Sequence, residues 1–256
     1  MKHMALGLLS VAVTVFMSTS LLADTKTVEA RPGAAFEIDV FDADNATAAI
    51  LLLEGGEGKF RPGGNGFVSG QYKTFVEQGF TVGGLQAPAD QLRKGKGLHP
   101  KFRETPAHAS DIAAAVKMLQ QYTGKPVWVL GVSRGTMSLA NFVSRYPDTA
   151  AGAVFMSSTT RTPPGFKSVT DYDLSGVGVP VLAVAHEDDA CRGTPPEGAR
   201  EIAAAASASR NAKAIYFSGG NSPGRSPCKP RTPHVFYGIE NDVVKAVASF
   251  IRDNSN

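Results

Sequence analysis

Serine becomes a useful nucleophile only when a strained turn presents it and a base takes its proton. The chain holds two G-x-S-x-G stretches that could build such a turn: Gly131-Val132-Ser133-Arg134-Gly135 and Gly220-Asn221-Ser222-Pro223-Gly224. A bare match arises by chance about 0.2 times in a chain of this composition, so context must choose between them. An apolar run, Val127 to Gly131 (VWVLG), leads into Ser133, and a helical pattern, Thr136 to Tyr146, leaves it. Gly131 and Gly135 allow strand and helix to approach closely, and Arg134 has a backbone N–H to offer an oxyanion. Ser222 lies between Gly219 and Pro227, no helical pattern follows it, and its successor Pro223 has no N–H. Ser133 is therefore the candidate nucleophile, and the second match reads as turn chemistry.

Where such a turn sits in a hydrolase-type α/β sheet, the acid and then the histidine follow the serine in the chain. His234 follows the last apolar run and its long loop, at the start of the final helical pattern. His99 and His108 precede the serine, and His186 sits on the acid-bearing loop as a structural or pocket-edge residue. After Val181 to Ala185 come His186-Glu187-Asp188-Asp189-Ala190-Cys191. Asp189 fits best the spacing at which a chain turns back toward the serine. Asp188 is the alternative acid, and Glu187 reads as a surface residue. The second oxyanion donor is expected in Glu54-Gly55-Gly56-Glu57-Gly58, after Ala48 to Leu53 (AAILLL), with Gly56 preferred and Gly55 or Glu57 as neighbours. Glu54 and Glu57 should point away from a developing oxyanion.

The elements that must hold these residues alternate. Strands are expected over Phe36–Phe41, Ala48–Leu53, Phe80–Gln86, Pro126–Val132, Ala153–Ser157, Val181–Ala185 and Lys213–Ser218. Helices are expected over Gly70–Gln78, Pro106–Tyr122, Thr136–Tyr146, Pro195–Ala208 and Val235–Arg252. Apolar strands separated by helices imply a mostly parallel α/β sheet covered on both faces, with its site at the strands' carboxyl ends. Long loops are expected at 59–66, 93–105, 158–176 and 219–233, and such loops often carry function.

Residues 1–23 read as a secretory signal cleaved near Ala23, with a retained membrane anchor as the alternative reading. The remainder, 24–256, suits one domain. An exported chain with two cysteines is expected to pair Cys191 with Cys228, tying the acid loop to the histidine loop. With 26 basic and 23 acidic residues and no basic block interleaved with aromatics, nucleic acid is excluded as a partner. Histidines and carboxylates lack metal-ligand spacing, and phosphate-binding glycine patterns are absent, so neither metal nor organic cofactor is expected. The basic loop from Arg93 to Arg103 offers a weak hint of acidic substrates, against its more ordinary reading as a solvated loop.

GVSRG, EGGEG, HEDDAC and TPHVFYGIE, in that order, resemble the α/β-hydrolase family over nearly the whole chain after residue 23. The C-terminal pattern is similar to small exported bacterial serine hydrolases. The resemblance implies Ser133 as nucleophile, Asp189 as acid, His234 as base, and the amides of Gly56 and Arg134 as oxyanion donors. Many members carry His-Gly where this chain has Glu54-Gly55. No large lid domain is expected, since 158–178 allows only a flap. The expected activity is hydrolysis of a carboxylic ester or related acyl bond through an acyl-enzyme, by a periplasmic or secreted monomer or weak homodimer acting on a small acyl substrate. The alternatives are a peptidase or amidase with the same residues, and a binding protein on a hydrolase fold.

Overall fold

The computed structural model describes residues 22–93 and 97–255. The expected signal and the centre of the basic loop, residues 94–96, lie largely outside them. Eight strands form one sheet: β1 Asp24–Arg31, β2 Ala34–Phe41, β3 Ala48–Leu53, β4 Phe80–Leu85, β5 Val127–Val132, β6 Gly152–Met156, β7 Val181–His186 and β8 Ala212–Phe217. Their order is β1-β2-β4-β3-β5-β6-β7-β8. From β4 to β8 every neighbouring pair is parallel, whereas β1–β2 and β2–β4 are antiparallel. Residues 92–93 and 97–98 pair as a small separate ribbon.

Every residue of β3 to β7 is buried, which is why these strands read as unbroken apolar runs rather than alternating ones. Helices α2 Pro106–Thr123, α3 Gly135–Arg145 and α4 Gly198–Ala205 contribute to the core on one face, through Ile112, Val116, Leu119, Leu139 and Ile202. Helices α1 Phe67–Glu77 and α5 Glu240–Asp253 cover the other, through Phe75, Val243, Val244, Val247 and Ile251. Local chemistry sets the ends of α2. Thr105 accepts a hydrogen bond from the His108 amide, Pro106 occupies the first turn, and Gly124 closes the helix at φ 65°.

Helix α1 starts three residues before its expected position and α4 three after, so Pro195 and Pro196 precede α4, and two further elements depart more. Strand β1 was not expected, because DTKTVEAR is polar and half-exposed at the sheet edge, where charge discourages pairing with another chain. The final helix begins at Glu240 rather than Val235. His234 sits on a separate 3-10 turn, Pro233–Val235, cut off from α5 by left-handed Phe236 (φ 57°) and Gly238 (φ 90°).

Candidate active site

The four segments that matter all leave the carboxyl ends of parallel strands. Ser133 follows β5, the Glu54–Gly58 loop follows β3, Asp189 follows β7, and His234 ends the loop after β8. Ser133 has φ 52°, a left-handed conformation that a non-glycine residue rarely adopts without constraint. Its surroundings supply that constraint. The Ser133 amide donates to the Met156 carbonyl at 3.0 Å, while its carbonyl accepts from the Thr136 hydroxyl at 2.6 Å. A Cβ at Gly135 would stand 2.2 Å from the Leu53 carbonyl oxygen, and one at Gly131 would stand 2.7 Å from the Gly135 oxygen. Both positions therefore have room only for glycine. Ser222, by contrast, is exposed on the loop after β8.

His234 is buried, and its Nδ1 lies 3.0 Å from Asp189 Oδ2. A carboxylate can only accept, so the proton of this bond belongs to Nδ1 and the neutral ring leaves Nε2 as an acceptor. Asp189 is fixed on both oxygens. Oδ1 accepts from the Cys191 amide at 2.9 Å, and Oδ2 also accepts from the Thr194 hydroxyl at 2.9 Å. Asp188 faces elsewhere: its side chain is 73% exposed, and its carboxylate is 4.0 Å from His186 rather than near His234. His186 is structural, with Nε2 at 3.0 Å from the Gly219 carbonyl and Nδ1 accepting from the Asp188 amide at 3.1 Å. The Ser157 hydroxyl donates to the His234 carbonyl at 2.8 Å, which ties the histidine turn to the end of β6.

Cys191 and Cys228 form a disulfide, so the acid loop and the histidine loop are covalently joined. Asp189, Cys191 and His234 bring their ligand-type atoms within 4.8 Å of one another, but the sulfur is bonded to Cys228 and is not a thiolate. This group has the donor chemistry of a hydrogen-bonded acid–base pair, not of a metal cage.

In the loop after β3, the amide of Gly55 is spent on the Glu54 carboxylate at 2.9 Å. Among the described residues, the amides of Gly56 and Arg134 make no hydrogen bond. Gly55 itself packs against the serine, since a Cβ there would be 3.2 Å from Ser133 Cβ. Glu57 turns out toward Arg61, as expected. Glu54 does not point away: it is half-buried and lines the cleft, where its carboxylate accepts from the Ser69 hydroxyl and the Gly55 amide. Those donors occupy its oxygens and restrain its orientation.

Arg103 overturns the reading of the basic loop as solvated at that point. It is 2% exposed and donates to the Gly55 carbonyl at 3.0 Å and to Ser138 Oγ at 2.8 Å. Ser138 Oγ in turn lies 2.9 Å from His108 Nε2. Burial first, and then the neighbouring Arg134, pushes the Arg103 guanidinium down to about 10, so it remains cationic at neutral pH. Burial, with Arg103 and Arg31 nearby, pushes His108 down to about 3, so it is neutral. Ser138 Oγ thus accepts from Arg103 and is hydrogen-bonded to the neutral His108 ring. Neither Arg103 nor Thr194 was singled out from sequence. A lone arginine or threonine in a loop carries no spacing signal, and only the fold brings them to the site.

Ser133 sits between two compartments. One, of about 400 Å³, is lined by Glu54, Phe67, Ser69, His234 and Val235. The other, of about 500 Å³, is lined by Arg134, Met137, Arg161, Phe166 and Thr194. Gly56, Ser133, Cys228 and Lys229 belong to both.

No protein-family model and no curated protein matches the chain. Solved structures do. The esterase Pf2001 of Pyrococcus furiosus superposes with TM-score 0.67 at 11% identity, over 92% of this chain and 94% of that one. Est1E of Butyrivibrio proteoclasticus, solved with ferulic acid bound, gives TM-score 0.63 at 14% identity over 90% and 98%. An alpha-beta serine hydrolase homologue from Coxiella burnetii gives TM-score 0.62 at 14% identity over 91% and 100%. The chain thus has the α/β-hydrolase fold, a mostly parallel eight-stranded sheet between two helical layers, without a large lid domain among the described residues.

Proposed function

We propose that the protein is a serine hydrolase that cleaves carboxylic esters through an acyl-enzyme, with Ser133 as nucleophile, His234 as base and Asp189 as its orienting acid. The observation that carries this reading is the buried Asp189–His234 hydrogen bond opening onto the cleft that holds Ser133 in its left-handed turn. The esterases among the structural neighbours agree with it.

In the first half-reaction His234 Nε2 takes the Ser133 proton as Oγ bonds to the ester carbonyl carbon. The carbonyl oxygen becomes an oxyanion that accepts hydrogen bonds from the amides of Gly56 and Arg134. His234 then gives that proton to the departing alcohol oxygen as the carbon–oxygen bond breaks. Water, deprotonated by the same nitrogen, attacks the acyl-serine and releases the acid. Asp189 holds Nδ1–H throughout and stabilises the transient imidazolium.

The disulfide supports an oxidising compartment, and no helix among the described residues is long and apolar enough to cross a membrane. With the sequence of residues 1–23, this favours export to the periplasm or beyond.

A fluorophosphonate probe tests the chemistry directly. Ser133 is expected to take the label, and Ser133→Ala is expected to lose both labelling and p-nitrophenyl ester hydrolysis. Hydrolysis that survives intact in Ser133→Ala would place the nucleophile elsewhere, and a folded wild-type protein that neither labels nor hydrolyses would end the enzyme reading.

A further inference from the structure

The two compartments beside Ser133 differ in charge and in access to the base. The larger one counts Arg134, Arg161 and Lys229 among its lining residues and no aspartate or glutamate. Arg161 is already held by Glu201 through two hydrogen bonds, of 3.0 and 2.6 Å. Arg134 and Lys229 have no carboxylate within ion-pair distance among the described residues. Arg103 does not line the compartment; it is buried behind Gly55, close enough to Arg134 to interact with it, and Glu54 partly offsets its charge. The compartment's apolar surface is supplied by Met137, Pro163 and Phe166.

The chemistry proposed above assigns the two sides. His234 must reach the leaving alcohol oxygen, and it lines only the smaller compartment. Of the proposed oxyanion donors, Gly56 borders both compartments and Arg134 lines only the larger, which lacks His234. The acyl chain therefore runs into the larger compartment and the alcohol leaves through the smaller.

We propose that the substrate is an ester whose acyl half carries a carboxylate, a half-ester of a dicarboxylic acid, bound with its chain against Met137 and Phe166 and its free carboxylate between Arg134 and Lys229. This rests on the ester-hydrolase reading for the direction of the acyl chain. A guanidinium suits the task because its planar fork matches a carboxylate in two parallel hydrogen bonds. Arg134 would then act twice, its amide on the oxyanion and its side chain on the distal charge.

Two probes of similar acyl length decide the matter, mono-p-nitrophenyl glutarate and neutral p-nitrophenyl pentanoate. The wild-type protein is expected to favour the glutarate in kcat/KM by at least about fivefold at low salt, with the preference shrinking in 1 M NaCl, as for an exposed charge pair. In the double variant Arg134→Gln/Lys229→Gln the glutarate-to-pentanoate ratio is expected to fall to about one. A wild-type ratio at or below one, or a ratio unmoved by the double variant, overturns the proposal. A binding arm separates this from failure of the enzyme reading. Ser133→Ala, which cannot form the acyl-enzyme, is expected to bind the glutarate more tightly than the pentanoate in calorimetry, and equal or weaker binding also overturns the proposal. If the wild-type protein turns over neither ester while Ser133→Ala keeps the preference, the hydrolase reading falls and the anion site stands.

Discussion

At the scale of single residues, the site depends on how few conformations its side chains retain. In the proposed mechanism His234 needs a fixed tautomer to act as base, and Asp189 would fix it, since that carboxylate is itself pinned by the Cys191 amide and the Thr194 hydroxyl. Asp189→Asn would present an amide that can turn a donor toward Nδ1 and favour the wrong tautomer. The expected loss in kcat is roughly three to four orders of magnitude at pH 7. Asp188→Asn, altering an exposed side chain, is expected to stay within about twofold of wild type. Thr194→Val removes one hydrogen bond to a charged group and is expected to cost about tenfold. Esterase assays on the three purified variants give the comparison, and equal losses in Asp188→Asn and Asp189→Asn would refute the assignment of the acid. From sequence, spacing favoured Asp189 and kept Asp188 as the alternative; the turn after β7 sends Asp188 outward and Asp189 inward.

At the scale of elements, the site is a set of loops registered against one another by contacts remote in sequence. The elbow was legible because its requirements are local: an apolar strand, two glycines where Cβ atoms would strike backbone, and a following helix. Most strands and helices were legible for the same reason, since burial on both faces of a sheet leaves continuous apolar runs. The edge strand β1 was not, because an exposed edge is selected for polarity. The start of α5 was not, because the apolar pattern runs on through Val235 and Phe236, while the break rests on left-handed Phe236 together with Gly238. The Glu54–Gly58 loop was legible as a glycine-rich turn, but its support was not. Arg103, about fifty residues away in sequence, grips the Gly55 carbonyl and so orients the adjoining Gly56 amide. Arg103→Gln is expected to lower kcat by about tenfold or more while KM changes by no more than about twofold, since an oxyanion donor acts mainly in the transition state. Titrating active sites with the fluorophosphonate separates a misplaced loop from a smaller folded fraction. A kcat per titrated site equal to wild type would show that Arg103 does not position the loop.

At the scale of the whole molecule, two devices join segments of the candidate site that are distant in sequence. The Cys191–Cys228 bond closes a loop of 37 residues in separation, worth roughly 4 kcal/mol in the chain-entropy model, and it joins the acid and histidine loops. The second device is the buried chain Arg103–Ser138–His108, which links the segment before α2 with α2 and α3, and burial beside two arginines holds His108 neutral in it. Its pH dependence has a definite sign. The folded state holds His108 down at about 3, whereas the unfolded chain protonates it near its ordinary value of 6.5. Above 6.5 both states carry neutral imidazole and nothing is lost. As pH falls below 6.5 the unfolded state binds the extra proton, so folding stability drops, by roughly 2 kcal/mol at pH 5 from this group alone. His108→Gln keeps a hydrogen-bonding partner for Ser138 and cannot titrate. Urea unfolding at pH 7 and pH 5 should show the wild-type protein losing more stability than His108→Gln over that interval, by about that amount, even though the variant starts lower. Equal losses in the two proteins would mean that His108 is not the group through which this fold senses acid.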